Sequence, residues 1–127
     1  MQSPQILSGT VIHGNHLGSK LGFPTANLAL SSDTLLADGV YAVRVTVGGS
    51  VYNGVANIGT RPTVTDNPER FLEAYLFGFD GDLYGQTIDV ELVEYLRPEK
   101  KFGSLDELKR EIEQDKTEAE KILSSCI

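Results

Sequence analysis

Cysteine is nearly absent from this chain of 127 residues, and tryptophan is absent altogether. The single cysteine, Cys126, has no partner in the sequence, so no disulfide framework exists, a pattern that fits a reducing cytosol. No apolar run approaches the ~20 residues that a membrane-spanning helix needs. Residues 1–4 show neither the basic start nor the apolar stretch of a signal peptide. We therefore expect a cytoplasmic protein with no membrane partner.

A surplus of basic residues is also missing. The chain has 11 Lys and Arg against 18 Asp and Glu, for a formal net charge of −7. Nucleic acids and anionic membranes attract basic surfaces, so this balance predicts neither of them as a partner. The excess negative charge lies after residue 68, because the residues before it are neutral overall, with Lys20, Arg44 and Arg61 against Asp33, Asp38 and Asp66.

Glycine is missing from the last part of the chain, since none follows Gly103. A chain of this length with 40% hydrophobic residues can build one core without covalent staples. We predict a single domain over residues 1–127. A turn-rich β portion, about 5–98, is expected to precede a C-terminal helix, about 104–124.

The strands are predicted from period-two alternation. Residues 40–47 and 51–58 flank a Gly-Gly-Ser turn and indicate a hairpin. Residues 71–77 and 86–97 indicate a second hairpin across residues 80–82. The apolar phase slips at Leu92-Val93, which predicts a bulge or a sharp bend. An opening strand, about 6–13, and a short strand after Pro24 bring the number to about six. No strand-helix alternation separates them, so a parallel sheet is not expected.

The C-terminal helix has the clearest pattern. Ser104 followed by Glu107 forms a capping box at its start. One stripe of the helix is apolar, formed by Leu105, Leu108, Ile112, Ala119, Ile122 and Leu123. Such a stripe packs on the sheet or, alternatively, binds a partner.

Two polar patterns leave alternatives open. Pro24 favours an extended conformation, in which Thr25 and Asn27 point to the same side. Their neutral oxygens suit Mg²⁺ that arrives bound to nucleotide phosphates, or they make local turn hydrogen bonds. Glu73 lies between apolar and aromatic residues. Its carboxylate either reaches water at a rim or acts as a base in a partly desolvated site.

A glycine-rich segment precedes Thr25. Gly14, Gly18 and Gly22 surround Lys20 without matching the spacing of a P-loop or of a dinucleotide-binding loop. Backbone N–H groups in such a segment can still approach an anion.

Several motifs together resemble the riboflavin kinase signature over nearly the whole chain. They are GTVIHG at 9–14, GSKLGFPTANL at 18–28, GVY at 39–41, GVANIGTRPT at 54–63, DGDLYG at 80–85 and LRPEKKF at 96–102. The resemblance implies a six-stranded antiparallel Greek-key β-barrel with a C-terminal α-helix. It also implies ATP-dependent phosphorylation of riboflavin to FMN. The family also occurs as the C-terminal half of bifunctional bacterial FAD synthetases, so an N-terminal FMN adenylyltransferase domain is a possible partner.

The same resemblance implies roles for individual residues. Glu73 matches the catalytic base, while Thr25 and Asn27 match the ligands of the Mg²⁺ that accompanies ATP. The remaining matches are nucleotide contacts at Gly14, Lys20, Thr25, Leu76, Gly78 and Tyr84, and flavin contacts at Arg97, Lys100 and Phe102. The chain departs from the family at Tyr75, where His is common, and at Gly78, where Asp is frequent. The alternative function is a flavin-binding barrel without kinase activity.

Overall fold

The computed structural model describes residues 5–12, 25–30, 36–61, 69–79, 83–99 and 103–125. They form one six-stranded antiparallel sheet followed by a helix. The elements are β1 (Gln5–Thr10), β2 (Thr25–Leu30), β3 (Gly39–Val47), β4 (Ser50–Arg61), β5 (Glu69–Leu76), β6 (Thr87–Arg97) and α1 (Leu105–Ser125).

The order of the strands in the sheet is β1-β6-β3-β4-β5-β2. Strands β3, β4 and β5 follow one another, and β6 returns to lie beside β3, which is a Greek key. The sheet curls so that its two edge strands, β1 and β2, approach each other. Just after β1, the N–H of Ile12 donates to the carbonyl oxygen of Asn27 in β2 at 2.8 Å. The predicted antiparallel barrel with a C-terminal helix is confirmed. No helix among the described residues is long and apolar enough to cross a membrane.

The first predicted hairpin is confirmed as β3 and β4. Val47 pairs with Ser50 across a two-residue turn. Gly48 and Gly49 have φ angles of 57° and 87° in this turn, and both lie in the left-handed region that a type I′ turn requires. Glycine adopts this region without the steric cost that a side chain would add.

The second predicted hairpin is wrong. Strand β5 pairs with β4 and β2, whereas β6 pairs with β3 and β1. Residues 80–82 lie outside the described residues. Their turn signal predicted that the chain reverses, but it could not predict which strand β6 would pair with. Strand β6 crosses the barrel because both edges of β5 are already paired.

The slip predicted in β6 is confirmed as two irregularities in its pairing with β3. The register skips Val93 and then Leu96. Both skipped side chains pack against the apolar cluster under α1. The bulges therefore turn the end of β6 toward the helix, and they bring Arg97 there as well.

Two apolar clusters occupy the two faces of the sheet. The larger cluster fills the barrel and contains the residues that share one face of β3, namely Tyr41, Val43, Val45 and Val47. The smaller cluster lies between the outer face of the sheet and α1, where Val55 and Tyr75 meet Ile112 and Ala119. Packing on the sheet is therefore the confirmed alternative for the apolar stripe of α1.

The ends of α1 are capped. The N–H of Glu107 donates to the Ser104 hydroxyl at 3.2 Å, and the Glu107 carboxylate accepts from the N–H of Gly103 at 2.9 Å. At the other end, the Arg44 guanidinium donates to the carbonyl oxygen of Leu123 at 3.2 Å. The predicted stripe is wrong at Leu105, which is 49% exposed because the first turn extends beyond the sheet.

Candidate functional site

Three polar residues lie side by side on adjacent strands. Glu73 in β5 is directly opposite Asn27 in β2 on one side and Asn57 in β4 on the other. The residues flanking each of them belong to the cluster that fills the barrel. Because side chains alternate along a strand, all three lie on the outer face of the sheet. We call these three residues the polar row.

Each member of the polar row has a buried oxygen without a hydrogen-bond partner. These atoms are Asn27 Oδ1, Glu73 Oε2 and Asn57 Oδ1. Asn27 is 3% exposed and Glu73 is 7% exposed, so water does not surround them. Leaving one buried polar atom unpaired costs about 1–3 kcal/mol. Three such acceptors in a row are arranged for a donor or cation that comes from outside the chain.

The other oxygen of Glu73 is already occupied. The Tyr75 hydroxyl donates to Glu73 Oε1 at 2.6 Å, and the pair is buried. This contact fixes the orientation of the carboxylate and leaves Oε2 as its available atom. Tyr75 is the position at which the chain departs from the common His, and the structure shows that the departure contacts the predicted base directly.

A cavity of about 60 Å³ opens beside the polar row, between the sheet and α1. Val55, Asn57 and Tyr75 line its sheet side, and Ile112 and Asp115 line its helix side. It is large enough for several water molecules. Apolar walls with a few polar groups are typical of a site for a small organic molecule.

An ion pair ties the end of β6 to α1 at this cavity. Arg97 donates from Nε and Nη2 to the two carboxylate oxygens of Asp115, at 3.0 and 2.8 Å. Glu111 lies 3.3 Å from the same guanidinium. The hydrogen bond to Asp115 is the main cause that raises the pKa of Arg97 above its ordinary value. Arg97 therefore keeps its charge and holds the helix over the cavity.

Replacing Asp115 by alanine is expected to lower the free energy of unfolding by about 2–3 kcal/mol, because two charge-assisted hydrogen bonds are lost. Asp115 is 6% exposed, and its loss leaves Arg97 facing an apolar cluster. Urea unfolding followed by circular dichroism measures the change. Glu111→Ala is the matched control and should cost less, since the Glu111 carboxylate lies farther from the same arginine than that of Asp115 does. Equal losses in the two variants would contradict the assigned role of Asp115.

The structure describes some of the other predicted site residues. Thr25 begins β2 and pairs with Tyr75. It lies two residues before Asn27, on the same face of the strand. The Leu76 side chain is buried in the barrel, so only its backbone faces outward. Gly78 has a φ angle of 80°, and Tyr84 is 53% exposed. Gly14, Lys20, Lys100 and Phe102 lie outside the described residues.

The sequence analysis missed Asn57 and Asp115. Asn57 stands at an outward position of β4 between apolar residues, which is the same signal that identified Glu73. Asp115 interrupts the apolar stripe between Ile112 and Ala119, where the helical period calls for an apolar residue. Among the described residues, no group of three or more His, Cys, Asp or Glu could hold a metal ion.

Comparisons with known proteins agree on one family. The model of the flavokinase family, described as riboflavin kinase, matches residues 1–123. A bifunctional riboflavin kinase/FMN adenylyltransferase from Haemophilus influenzae is 45% identical over 96% of this chain. The chain spans 40% of the length of that relative.

Two solved structures are similar in fold. A riboflavin kinase from Trypanosoma brucei has a TM-score of 0.66 and 26% identity, covering 97% of this chain and 82% of the other. A Streptococcus pneumoniae structure described as a macrolide-efflux protein has a TM-score of 0.81 and 35% identity, covering 91% of this chain and 38% of the other.

Proposed function

The chain belongs to the riboflavin kinase family, and from this membership we propose that it transfers the γ-phosphoryl group of ATP to the 5′-hydroxyl of riboflavin, giving FMN and ADP. The observation that carries the proposal is Glu73, a buried carboxylate with an unpaired oxygen between two unpaired amide oxygens. A kinase needs an acceptor for the proton of the attacking hydroxyl, and Oε2 is such an acceptor.

In the proposed mechanism, Glu73 Oε2 accepts the proton of the 5′-hydroxyl as the hydroxyl oxygen attacks the γ-phosphorus. The bond between that phosphorus and the β,γ-bridging oxygen breaks, and ADP leaves. Tyr75 holds the carboxylate in place through Oε1. Phosphoryl transfer depends mainly on alignment and on neutralisation of charge, so a fixed carboxylate orientation contributes directly to the rate.

Mg²⁺ is the proposed metal, with Thr25 and Asn27 as its protein ligands. Asn27 fits this role because its Oδ1 is buried and unpaired, and a carboxamide oxygen is a suitable hard ligand. When bound with ATP, the ion would neutralise negative charge on the phosphates. Gly14, Lys20, Leu76, Gly78 and Tyr84 are the further proposed nucleotide contacts.

Riboflavin is proposed to bind against the cavity between the sheet and α1, which at about 60 Å³ receives only part of the molecule. Its apolar walls suit the flavin ring, and its end at Asn57 and Tyr75 adjoins the base. Arg97 lines this cavity, which supports its assignment as a flavin contact. Lys100 and Phe102 complete the proposed set.

Residues 1–127 are proposed to act as one kinase domain in the cytoplasm, where ATP is available. One relative is described as also being an FMN adenylyltransferase. The flavokinase model accounts for residues 1–123 of this chain. Any adenylyltransferase activity that accompanies this domain is therefore proposed to reside in residues outside it.

Incubation of the protein with riboflavin, ATP and Mg²⁺, followed by chromatography, tests the proposed function. FMN and ADP should appear in equal amounts, and neither should form without ATP. Tight flavin binding without FMN would favour the alternative, a flavin-binding barrel without kinase activity. The family and the described relatives support that alternative less well, because they are kinases.

Replacing Asn27 by alanine is expected to raise the Mg²⁺ concentration required for half-maximal turnover by about tenfold, because the variant lacks one proposed ligand of the metal. Magnesium titrations of FMN formation at fixed ATP measure this change. Riboflavin binding, followed by quenching of flavin fluorescence, should remain near that of the wild type.

Asn53→Ala is the matched control for this variant. Asn53 is an exposed asparagine on β4, outside the polar row, so its loss should leave the magnesium titration unchanged. A wild-type magnesium dependence in Asn27→Ala would refute the assignment of Asn27 as a metal ligand.

A further inference from the structure

Asn57 has a buried amide oxygen that no described residue satisfies. An asparagine with a purely structural role on a strand would pair this oxygen with a backbone or side-chain donor. The neighbours of Asn57 along β4, Ala56 and Ile58, face the barrel and offer no side-chain donor. The position therefore provides an acceptor that the fold itself does not use.

The surroundings of Asn57 indicate what the acceptor meets. Asn57 is the member of the polar row that lines the cavity beneath α1, since neither Asn27 nor Glu73 is among the lining residues. Asn57 is also directly opposite Glu73, and side chains opposite each other on paired strands have Cβ atoms about 4.5–5.5 Å apart. Two unpaired acceptors, Asn57 Oδ1 and Glu73 Oε2, thus belong to side chains that lie side by side on the outer face of the sheet, where Asn57 borders the cavity.

Two adjacent acceptors match two hydroxyls on adjacent carbon atoms. We propose that Asn57 binds the hydroxyl next to the one that is phosphorylated, so that the site selects a substrate whose reacting alcohol ends a vicinal diol. This inference rests on the proposed function, and for riboflavin the two groups are the ribityl 4′- and 5′-hydroxyls. Asn57 holds the 4′-hydroxyl, and Glu73 Oε2 receives the proton of the 5′-hydroxyl.

The chemistry of an amide suits this role better than that of a second carboxylate. A negative charge this close to Glu73 would oppose the charge that a general base carries before it accepts a proton. A neutral amide adds no charge. It can also accept from or donate to a hydroxyl, which itself does both. Asn27 has the same chemistry on the other side of Glu73, so the polar row has a neutral acceptor on each side of the base.

A substrate pair provides the test: riboflavin, and an analogue in which hydrogen replaces the 4′-hydroxyl. The wild type should prefer riboflavin by about 10–100-fold in kcat/KM, because the analogue leaves the amide unpaired. In Asn57→Ala the ratio of kcat/KM for riboflavin to kcat/KM for the analogue should fall to nearly one. The loss should occur on riboflavin, while kcat/KM for the analogue stays close to the wild-type value. A general structural defect would instead lower both rates by the same factor.

Two further variants control the comparison. Asn53→Ala removes an exposed asparagine from the same strand and should keep the full preference for riboflavin. Asn57→Ser keeps a hydroxyl acceptor and should retain part of the preference, and it serves as the informative variant if Asn57→Ala does not fold. Undiminished discrimination in the Asn57 variants, or no discrimination in the wild type, would overturn the proposal.

Binding measurements separate this proposal from the proposed function. Quenching of flavin fluorescence gives the affinity of each substrate without any turnover. If the wild type forms no FMN, the kinase proposal fails. Tighter binding of riboflavin than of its analogue by the wild type, but not by Asn57→Ala, would still support the contact. Equal affinities of both flavins for the wild type would overturn the contact whether or not FMN forms.

Discussion

Replacing Glu73 by glutamine is expected to lower kcat for FMN formation about a thousandfold, within the range that general bases contribute. The amide has nearly the same size as the carboxylate and still offers Tyr75 an oxygen, so the buried contact persists. It cannot accept a proton from the 5′-hydroxyl. Initial rates of FMN formation measure the effect, while flavin fluorescence should show that riboflavin binding is retained.

The control for this variant is Glu94→Gln. Glu94 lies on β6, is exposed and takes no part in the polar row, so its loss should leave kcat unchanged. A Glu73→Gln variant that turns over like the wild type would remove Glu73 from the mechanism. A variant that loses riboflavin binding to the same extent as turnover would instead assign Glu73 to substrate binding.

Sequence patterns within a single segment predicted the strand or helix that the segment forms. The period-two alternation over residues 40–47 predicted the strand that is β3, and the apolar stripe predicted the packing side of α1 except at Leu105. The slip at Leu92-Val93 predicted a bulge, because a change of phase within one strand can be read without knowing its neighbours. Each of these predictions needed only the residues of one segment.

The neighbours of β5 and β6 could not be predicted in this way. Sequential strands pair often enough that a turn between them suggests a hairpin, yet the Greek key separates these two across the barrel. Which edge of β5 remains free depends on β2, which lies far from β5 in the sequence. Pairing is therefore a property of the whole sheet.

The polar row shows the same limit at the site. Glu73 and Asn27 were identified as candidates separately, from their own segments and from the family resemblance. Their adjacency follows from the pairing of β2 with β5. Asn57 lies beside Glu73 through the pairing of β4 with β5, although its polar side chain between apolar residues was readable in the sequence. The interruption of the α1 stripe by Asp115 was readable in the same way.

Gly39→Ala is expected to cause a large loss of stability. Gly39 begins β3 with a φ angle of 148°, a conformation that side chains rarely adopt. A Cβ atom there would lie 2.6 Å from the Tyr95 ring and 2.7 Å from the carbonyl oxygen of Arg97. The ring is held by an edge-to-face contact with Tyr41 at 5.2 Å. The carbonyl belongs to the backbone of β6, so it cannot withdraw without disturbing the barrel.

The expected cost of Gly39→Ala is about 4 kcal/mol, combining backbone strain with overpacking. Urea unfolding followed by circular dichroism measures it. Gly48→Ala is the matched control, because Gly48 also has a positive φ angle but a Cβ there would meet no atom within 4 Å. That variant should lose only about 1 kcal/mol.

A double variant separates the two contacts at position 39. Adding Tyr95→Ala to Gly39→Ala should recover only part of the lost stability, since the contact with the Arg97 carbonyl remains. Equal losses for the two glycine variants would show that backbone conformation alone, and not the contact with β6, explains the glycine at position 39.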